Sequence, residues 1–165
     1  YSFTGTSLMN HQMQFPDEYI HYEDYVVGEV MHIAKRYDIT EEEIISVAQK
    51  WDPQPFHVDP VAAKDSIFGG LVASSAHAFP LFVYLGQQGK KVAAISALGF
   101  DKIRFSTPIR PGDKLRYEYC CLEKRVSESR PYVGIVRCEG RLINQNDQVV
   151  FSGEVASLVQ RRHLD

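Results

Sequence analysis

Ser74-Ser75-Ala76-His77-Ala78-Phe79-Pro80-Leu81-Phe82-Val83-Tyr84-Leu85-Gly86-Gln87-Gln88 is the stretch on which the reading of the fold turns. Together with Leu71, Val72 and Ala73 it is the most apolar part of the chain. Ser74, Ser75, His77 and Pro80 interrupt it, so it reads as a buried helix; a membrane span needs about 18 or more uninterrupted apolar residues. Gly89 and the basic pair Lys90-Lys91 close it, where a helix end favours glycine and cations. Pro80 is the anomaly. An interior proline removes a helix hydrogen bond and costs about 3 kcal/mol or more unless accommodated. Either the helix bends at Pro80 or it begins later than Ser74.

Downstream of this helix the chain is written in strand grammar. Val92–Phe105 is apolar and rich in β-branched residues, and Pro108 with Pro111-Gly112-Asp113 forms a turn. Lys114-Leu115-Arg116-Tyr117-Glu118-Tyr119 alternates cleanly, which gives one wet face and one buried face. The turn clusters Ser127–Ser129 and Asn144–Asp147 set off Tyr132–Ile143 and Val149–Gln160 as further strands.

Upstream, residues near Tyr22 and from Gly28 to Ile39 are strand-like. Thr40-Glu41-Glu42-Glu43 then matches a capping box, in which Thr40 accepts from the Glu43 N–H and the Glu43 carboxylate reaches back. Ile44, Val47, Ala48 and Trp51 follow at helical spacing, giving an amphipathic helix over 41–51. Asp52-Pro53-Gln54-Pro55 ends it in a stiff, extended turn. Asp59-Pro60 reads as a new helix start running to Lys64, with Asp59 as cap.

Strands segregated from helices indicate an α+β fold, an antiparallel sheet covering a helix. The hotdog, a sheet wrapped around one long helix, is one layout with this order; strand-first alternatives share it. Residues 1–20 lack periodicity and are expected to be an N-terminal arm or frayed tail, partly an appendage since the chain starts without methionine; 21–165 form a single domain.

The 165 residues suit one domain that buries about 70% of its unfolded surface and needs no disulfide or metal to hold a core. Hydrophobic residues at 44% and charged residues at 24% exclude a disordered chain. Eighteen Lys and Arg against 21 Asp and Glu leave no basic stripe for nucleic acid, although a small anionic ligand needs only a few local cations. The three cysteines form neither an even framework nor a zinc pattern, and the N-terminus is too polar for a secretory signal, so a reducing cytoplasmic location is expected.

Trp51-Asp52-Pro53-Gln54-Pro55-Phe56-His57-Val58-Asp59-Pro60 carries the chemistry. It presents a carboxylate, Asp52, and an imidazole, His57, five residues apart on a stiff turn. An imidazole can take a proton from water and return it near neutral pH, while a carboxylate orients the same water or carries the second proton. The plainer reading has Asp52 capping a helix and His57 satisfied in a loop. A metal site on His57-x-Asp59 lacks a visible third ligand.

Asp52-x-x-Pro55-x-His57-x-Asp59-Pro60 resembles the hydratase signature of the MaoC-like dehydratases, the (R)-specific enoyl-CoA hydratases. Phe68-Gly69-Gly70-Leu71-Val72-Ala73-Ser74, Phe105-Ser106-Thr107-Pro108-Ile109 and Pro111-Gly112-Asp113 are similar to further blocks of that family. The resemblance runs from about Tyr22 to Val159. It implies a hotdog domain in a homodimer or higher homo-oligomer. It implies a tunnel for a trans-2-enoyl thioester, with coenzyme A or an acyl carrier as part of the substrate. Asp52 and His57 would hold the water added to the β carbon, and the backbone N–H of Ser75, where the family usually has glycine, would polarise the carbonyl. Gln54, Phe56, Gly70, Ser74 and His77 are the implied substrate-binding residues. The family usually has Asn where Gln54 stands. No metal and no cofactor is called for, since the β carbon of such a thioester is already electrophilic.

Other residues have simpler readings. The Ser74 and Ser75 side chains lack a Gly-x-Ser-x-Gly elbow and suit helix capping. His77 lines the pocket or is a core histidine bonded to backbone. Lys102, Arg104 and Arg110 are cations available to coenzyme A phosphates, although exposed strand positions carry charge for solubility alone. Cys120, Cys121 and Cys138 pack as small hydrophobes. Two rival functions stand beside hydration. A thioesterase of this fold places its carboxylate on the central helix, and Ser74–Gln88 holds no acid; a non-catalytic acyl-binding module would bind acyl-CoA without turnover.

Overall fold

The computed structural model describes residues 14–162. Strand Val30–Asp38 (β1) leads into helix Glu41–Trp51 (α1), a one-turn helix Pro55–Val58 (α2) and helix Ser75–Gly86 (α3). Four strands follow: Ala94–Phe105 (β2), Lys114–Val126 (β3), Val133–Ile143 (β4) and Val149–Gln160 (β5). The sheet has the order β1-β3-β4-β5-β2 with every pairing antiparallel. Its inner side holds α3. This is the α+β hotdog layout.

Alternation writes the sheet's inner face and periodicity writes the helix that fills it. On α3, His77, Ala78, Leu81, Phe82 and Leu85 are buried, a stripe repeating at three- and four-residue steps. Phe82 meets Phe151 of β5 at 4.8 Å between ring centroids and Tyr117 of β3 at 5.3 Å. Gly140 of β4 makes that approach possible: a Cβ there would lie 2.8 Å from the Phe82 ring and 2.1 Å from the Tyr117 hydroxyl. Ile39, Ile44, Leu115 and Leu142 complete the same core.

The helix question resolves in favour of an uninterrupted α3. Ser74 is its N-cap with extended φ −75° and ψ 164°, Ser75 is the first helical residue, and Pro80 lies inside. The helix therefore does not begin after the proline. Pro80 itself is exposed, so its ring meets solvent rather than the core. The Ser74 side chain makes no capping bond, contrary to expectation; its Oγ is buried without a partner among the described residues.

At α1, Thr40 Oγ1 accepts from the Glu43 N–H at 3.1 Å, as the capping signal predicts. The second half of the box is not made. The Glu43 carboxylate instead accepts from the Tyr37 hydroxyl at 2.7 Å and lies 2.9 Å from His77 Nε2. Tertiary partners, one a buried ring, outcompete a solvent-exposed backbone N–H.

The expected extended run of Pro53-Gln54-Pro55 is shorter than predicted. Pro55 sits at the first position of α2, and the Gln54 carbonyl accepts from the N–H groups of His57 and Val58. Asp59 Oδ1 does accept from the N–H groups of Val61 and Ala62, but no α-helix starts at Pro60: the chain turns there into a 3-10 turn over Ala62–Asp65 whose N-cap is Val61. The Pro111-Gly112-Asp113 turn is present, with Gly112 at φ +86° and Asp113 Oδ2 accepting from the Arg110 N–H.

Two expectations at the N-terminus change. Residues near Tyr22 form a 3-10 turn, Tyr22–Asp24, rather than a strand. Residues 14–20 pack on the domain rather than fray: Ile20 exchanges backbone bonds with Lys91 and Ala93, and the Phe15 N–H donates to Gln160 Oε1. Arg162 holds Asp24 at 2.7 Å, which keeps that carboxyl below the usual carboxylate range. Residues 1–13 of the expected arm lie outside the described residues.

Candidate active site

Pro53 ends α1, and the chain must turn before it can start α2. That turn brings the C-cap residue of one helix to the ring nitrogen that the next leaves open. Asp52 is the C-cap of α1, its backbone N–H still donating to Ala48. His57 is on α2 and is 7% exposed. Its Nδ1 lies 2.7 Å from the Val72 carbonyl, an acceptor only, so Nδ1 carries the hydrogen and donates. In the neutral ring the lone pair is therefore on Nε2, which lies 3.6 Å from Asp52 Oδ2. That distance is too long for a direct hydrogen bond and short enough for one water to touch both groups.

Asp52 and His57 open into a cavity of about 260 Å³. Phe56 and Phe68, ring centroids 5.2 Å apart, wall one side. Ser75 lines it from the start of α3. The first backbone acceptor bonds of that helix, into the Ser74 carbonyl, come from His77 and Ala78. The Ser75 N–H has no partner among the described residues and stands at the positive end of a 12-residue helix. Proton acceptor, carboxylate and the first residue of α3, whose amide is unpaired among the described residues, thus line one largely apolar space. An arrangement of this kind activates a water at one end and stabilises negative charge on an oxygen at the other.

The structure brings together Asp52, His57, Phe56 and Ser75 and leaves four other expected residues outside the cavity lining. Gln54 is exposed and works through its backbone as the α2 cap. Gly70 does not line the cavity, and a Cβ there would lie 3.5 Å from the Arg110 guanidinium. Ser74 is 1% exposed and turned inward. His77 is 3% exposed and pairs with Glu43, neither lining the pocket nor bonding backbone. The Ser75 side chain makes no capping bond.

Sequence reasoning missed the far wall: Ala78 of α3, Phe105 of β2, Thr107 and Ile109 of the following loop, and Val150 of β5. The 105–109 stretch stood out as a block similar to the family, and its place at the strand end was the available signal. Of the three cations considered for phosphates, Lys102 pairs with Glu154 at 2.7 Å and Arg104 bonds the Ile103 carbonyl. Arg110 alone touches the cavity wall, donating to the Phe68 carbonyl at 2.6 Å. Cys121 and Cys138 face each other across β3 and β4, and burial pushes both thiols up, in keeping with packing.

Fold and site together define a hotdog protein of the dehydratase and hydratase kind. The chain belongs to the MaoC-like domain family, whose family model matches residues 24–139. A MaoC-like dehydratase of Rhodospirillum rubrum superposes with a TM-score of 0.79 at 34% identity, over 88% of this chain and 99% of that one. The R-hydratase PhaJ1 of Pseudomonas aeruginosa superposes at 0.68 with 25% identity, over 87% and 88% of the two chains. The uncharacterized protein YdeM of Bacillus subtilis is 28% identical over 143 residues, 84% of this chain and 98% of its own length.

Proposed function

We propose that this protein reversibly hydrates trans-2-enoyl thioesters to 3-hydroxyacyl thioesters. The observation that carries the reading is the 3.6 Å gap between Asp52 and the open nitrogen of His57 in the lining of a cavity that Ser75, the first residue of α3, also lines. A water in that gap gives its proton to His57 Nε2 while its oxygen bonds the β carbon. The displaced π electrons move through the conjugated system to the thioester oxygen, where the Ser75 N–H stabilises them. The proton taken up by His57 Nε2 then passes, directly or by way of Asp52, to the α carbon, which returns the imidazole to its neutral form and leaves the water's hydroxyl and hydrogen added across the former double bond. Asp52 orients the water and shares in the α-carbon protonation. The scheme uses no metal or redox cofactor because conjugation already makes the β carbon electrophilic. The name of the P. aeruginosa R-hydratase supports the reaction class.

The substrate would be an acyl thioester of coenzyme A or of an acyl carrier. The working unit would be a homodimer: β2 is a sheet edge, and Leu98 and Phe105 on it are 54% and 55% exposed. No helix among the described residues is long and apolar enough to cross a membrane.

The test is hydration of crotonyl-CoA and longer enoyl-CoAs by the purified protein, followed as loss of the conjugated double bond. Asp52→Asn and His57→Gln should each lower kcat by about 10²–10⁴-fold. Full activity in Asp52→Asn, or release of free thiol in place of double-bond loss, would overturn the assignment.

A further inference from the structure

Beyond the catalytic cavity, along the C-terminal half of α3, lies a second cavity of about 460 Å³. Phe82 and Gly86 of α3, Phe100 of β2, Tyr117 of β3 and Val155 of β5 are among its walls. The two cavities share no lining residue. They are nevertheless close: Ala78 faces the first and Phe82 the second, one helical turn and about 6 Å apart along the axis.

Two rings that line neither cavity stand between them. Phe151, fully buried, lies 5.2 Å from Phe105 on the catalytic side and 4.8 Å from Phe82 on the other. Phe79 lies 6.1 Å from Phe151 and 5.0 Å from Phe100, edge to face in both cases. We infer that Phe79 and Phe151 form a wall that ends the acyl site and restricts this protein to short enoyl chains, and that this wall separates the acyl site from the second cavity, which is itself partly open at the surface. The inference rests on the hydratase reading above and adds its chain-length class.

The volumes support this. At about 30 Å³ for a water-sized group, the 260 Å³ of the catalytic cavity hold roughly nine such groups. The reacting water, the thioester sulfur and oxygen and a four-carbon chain occupy most of them. A twelve-carbon chain exceeds that volume, and with the rings in place its far end has no apolar room beyond the wall. The second cavity is lined largely by apolar side chains, and burial pushes the Tyr25 and Tyr117 hydroxyls up, so they stay uncharged beside a hydrocarbon.

The experiment compares kcat/KM for crotonyl-CoA and trans-2-dodecenoyl-CoA. The parent should prefer crotonyl-CoA by at least about 100-fold, since each methylene denied apolar room costs about 10-fold or more. Phe79→Ala should raise the dodecenoyl-to-crotonyl ratio by at least about tenfold, and Phe79→Leu by less, with a smaller risk to folding. Val155→Phe, which adds bulk to the second cavity from β5, should leave crotonyl-CoA turnover unchanged and cancel the gain when combined with Phe79→Ala. Calorimetric binding of butyryl-CoA and dodecanoyl-CoA reads the same order without turnover. A parent that accepts dodecenoyl-CoA as well as crotonyl-CoA, or Phe79 variants with an unchanged ratio, would overturn the wall. Binding in the expected order with no hydration of any thioester would leave the wall standing and remove the hydratase reading.

Discussion

Replacing Ser75 by proline takes away one hydrogen atom that the proposed chemistry requires and almost nothing that the fold requires. Ser75 is the first residue of α3, where the backbone N–H has no intrahelical acceptor and proline is well tolerated. Its predecessor Ser74 is already at φ −75° and ψ 164°, the extended geometry that a following proline imposes. The Ser75 side chain is exposed, so the ring has room. Stability should therefore stay within about 1 kcal/mol of the parent, with a gain of about 0.4–1 kcal/mol open to it through the stiffer unfolded chain. The donor facing the developing oxyanion is gone, and loss of one such donor costs about 10²–10³-fold in kcat, or roughly 3–4 kcal/mol of transition-state stabilisation. Two companions isolate the cause. Ser75→Ala keeps the amide and drops the hydroxyl; Ser75→Val keeps the amide and adds bulk close to that of the ring. Both should remain within a few-fold of the parent in crotonyl-CoA hydration, while thermal melts confirm that all three variants fold. A Ser75→Pro protein that folds and retains kcat within a few-fold of the parent would refute the role given to this amide. A loss confined to KM would show that the group binds substrate and transition state alike.

Lysine placed at Leu98 should dissociate the proposed dimer, because it sets a charge in the middle of the exposed apolar edge of β2; sedimentation equilibrium reads the mass, and a parent that is already monomeric would sink the edge-pairing idea. Alkaline stability gives a separate check. The hydrogen bond to Glu43 pushes the Tyr37 phenol up to about 12. Because its folded value lies above the unfolded one of about 10, this contribution is complete below pH 10 and fades as the pH rises towards 12. Burial raises Tyr25 and Tyr117 in the same direction, so the Tyr37 share is the difference between parent and Tyr37→Phe in denaturant melts across that window. A difference that does not shrink with rising pH would contradict the bond.

What could be read from the chain was whatever local chemistry decides. Thr40 and three acids fix the start of α1, alternation fixes β3, and the apolar stripe of α3 survives a proline because burying Phe82 and Leu85 outweighs one missing rung. Asp52 and His57 were legible because a proline-stiffened turn holds them close in sequence as in space. Helix α2 was not, since four residues are too few to show a period. Nor were the partners of Glu43 and His77, which lie 34 residues apart. The inward turn of Ser74 and the exposure of Gln54 depend on which elements pack on that loop, and the far wall from Phe105 to Val150 is assembled by the sheet.

Pro80 has no hydrogen to offer the Ala76 carbonyl, so the opening turn of α3 is tied to the rest of its own helix by one rung fewer. What steadies that turn comes from the side. His77 sits in it and leans on Glu43 of α1, which is anchored in turn by Tyr37 of β1. In the proposed reaction the aim of the Ser75 amide is set by this strut across three elements, and substitutions at its outer foot are expected to change the rate while leaving every group in the cavity unchanged.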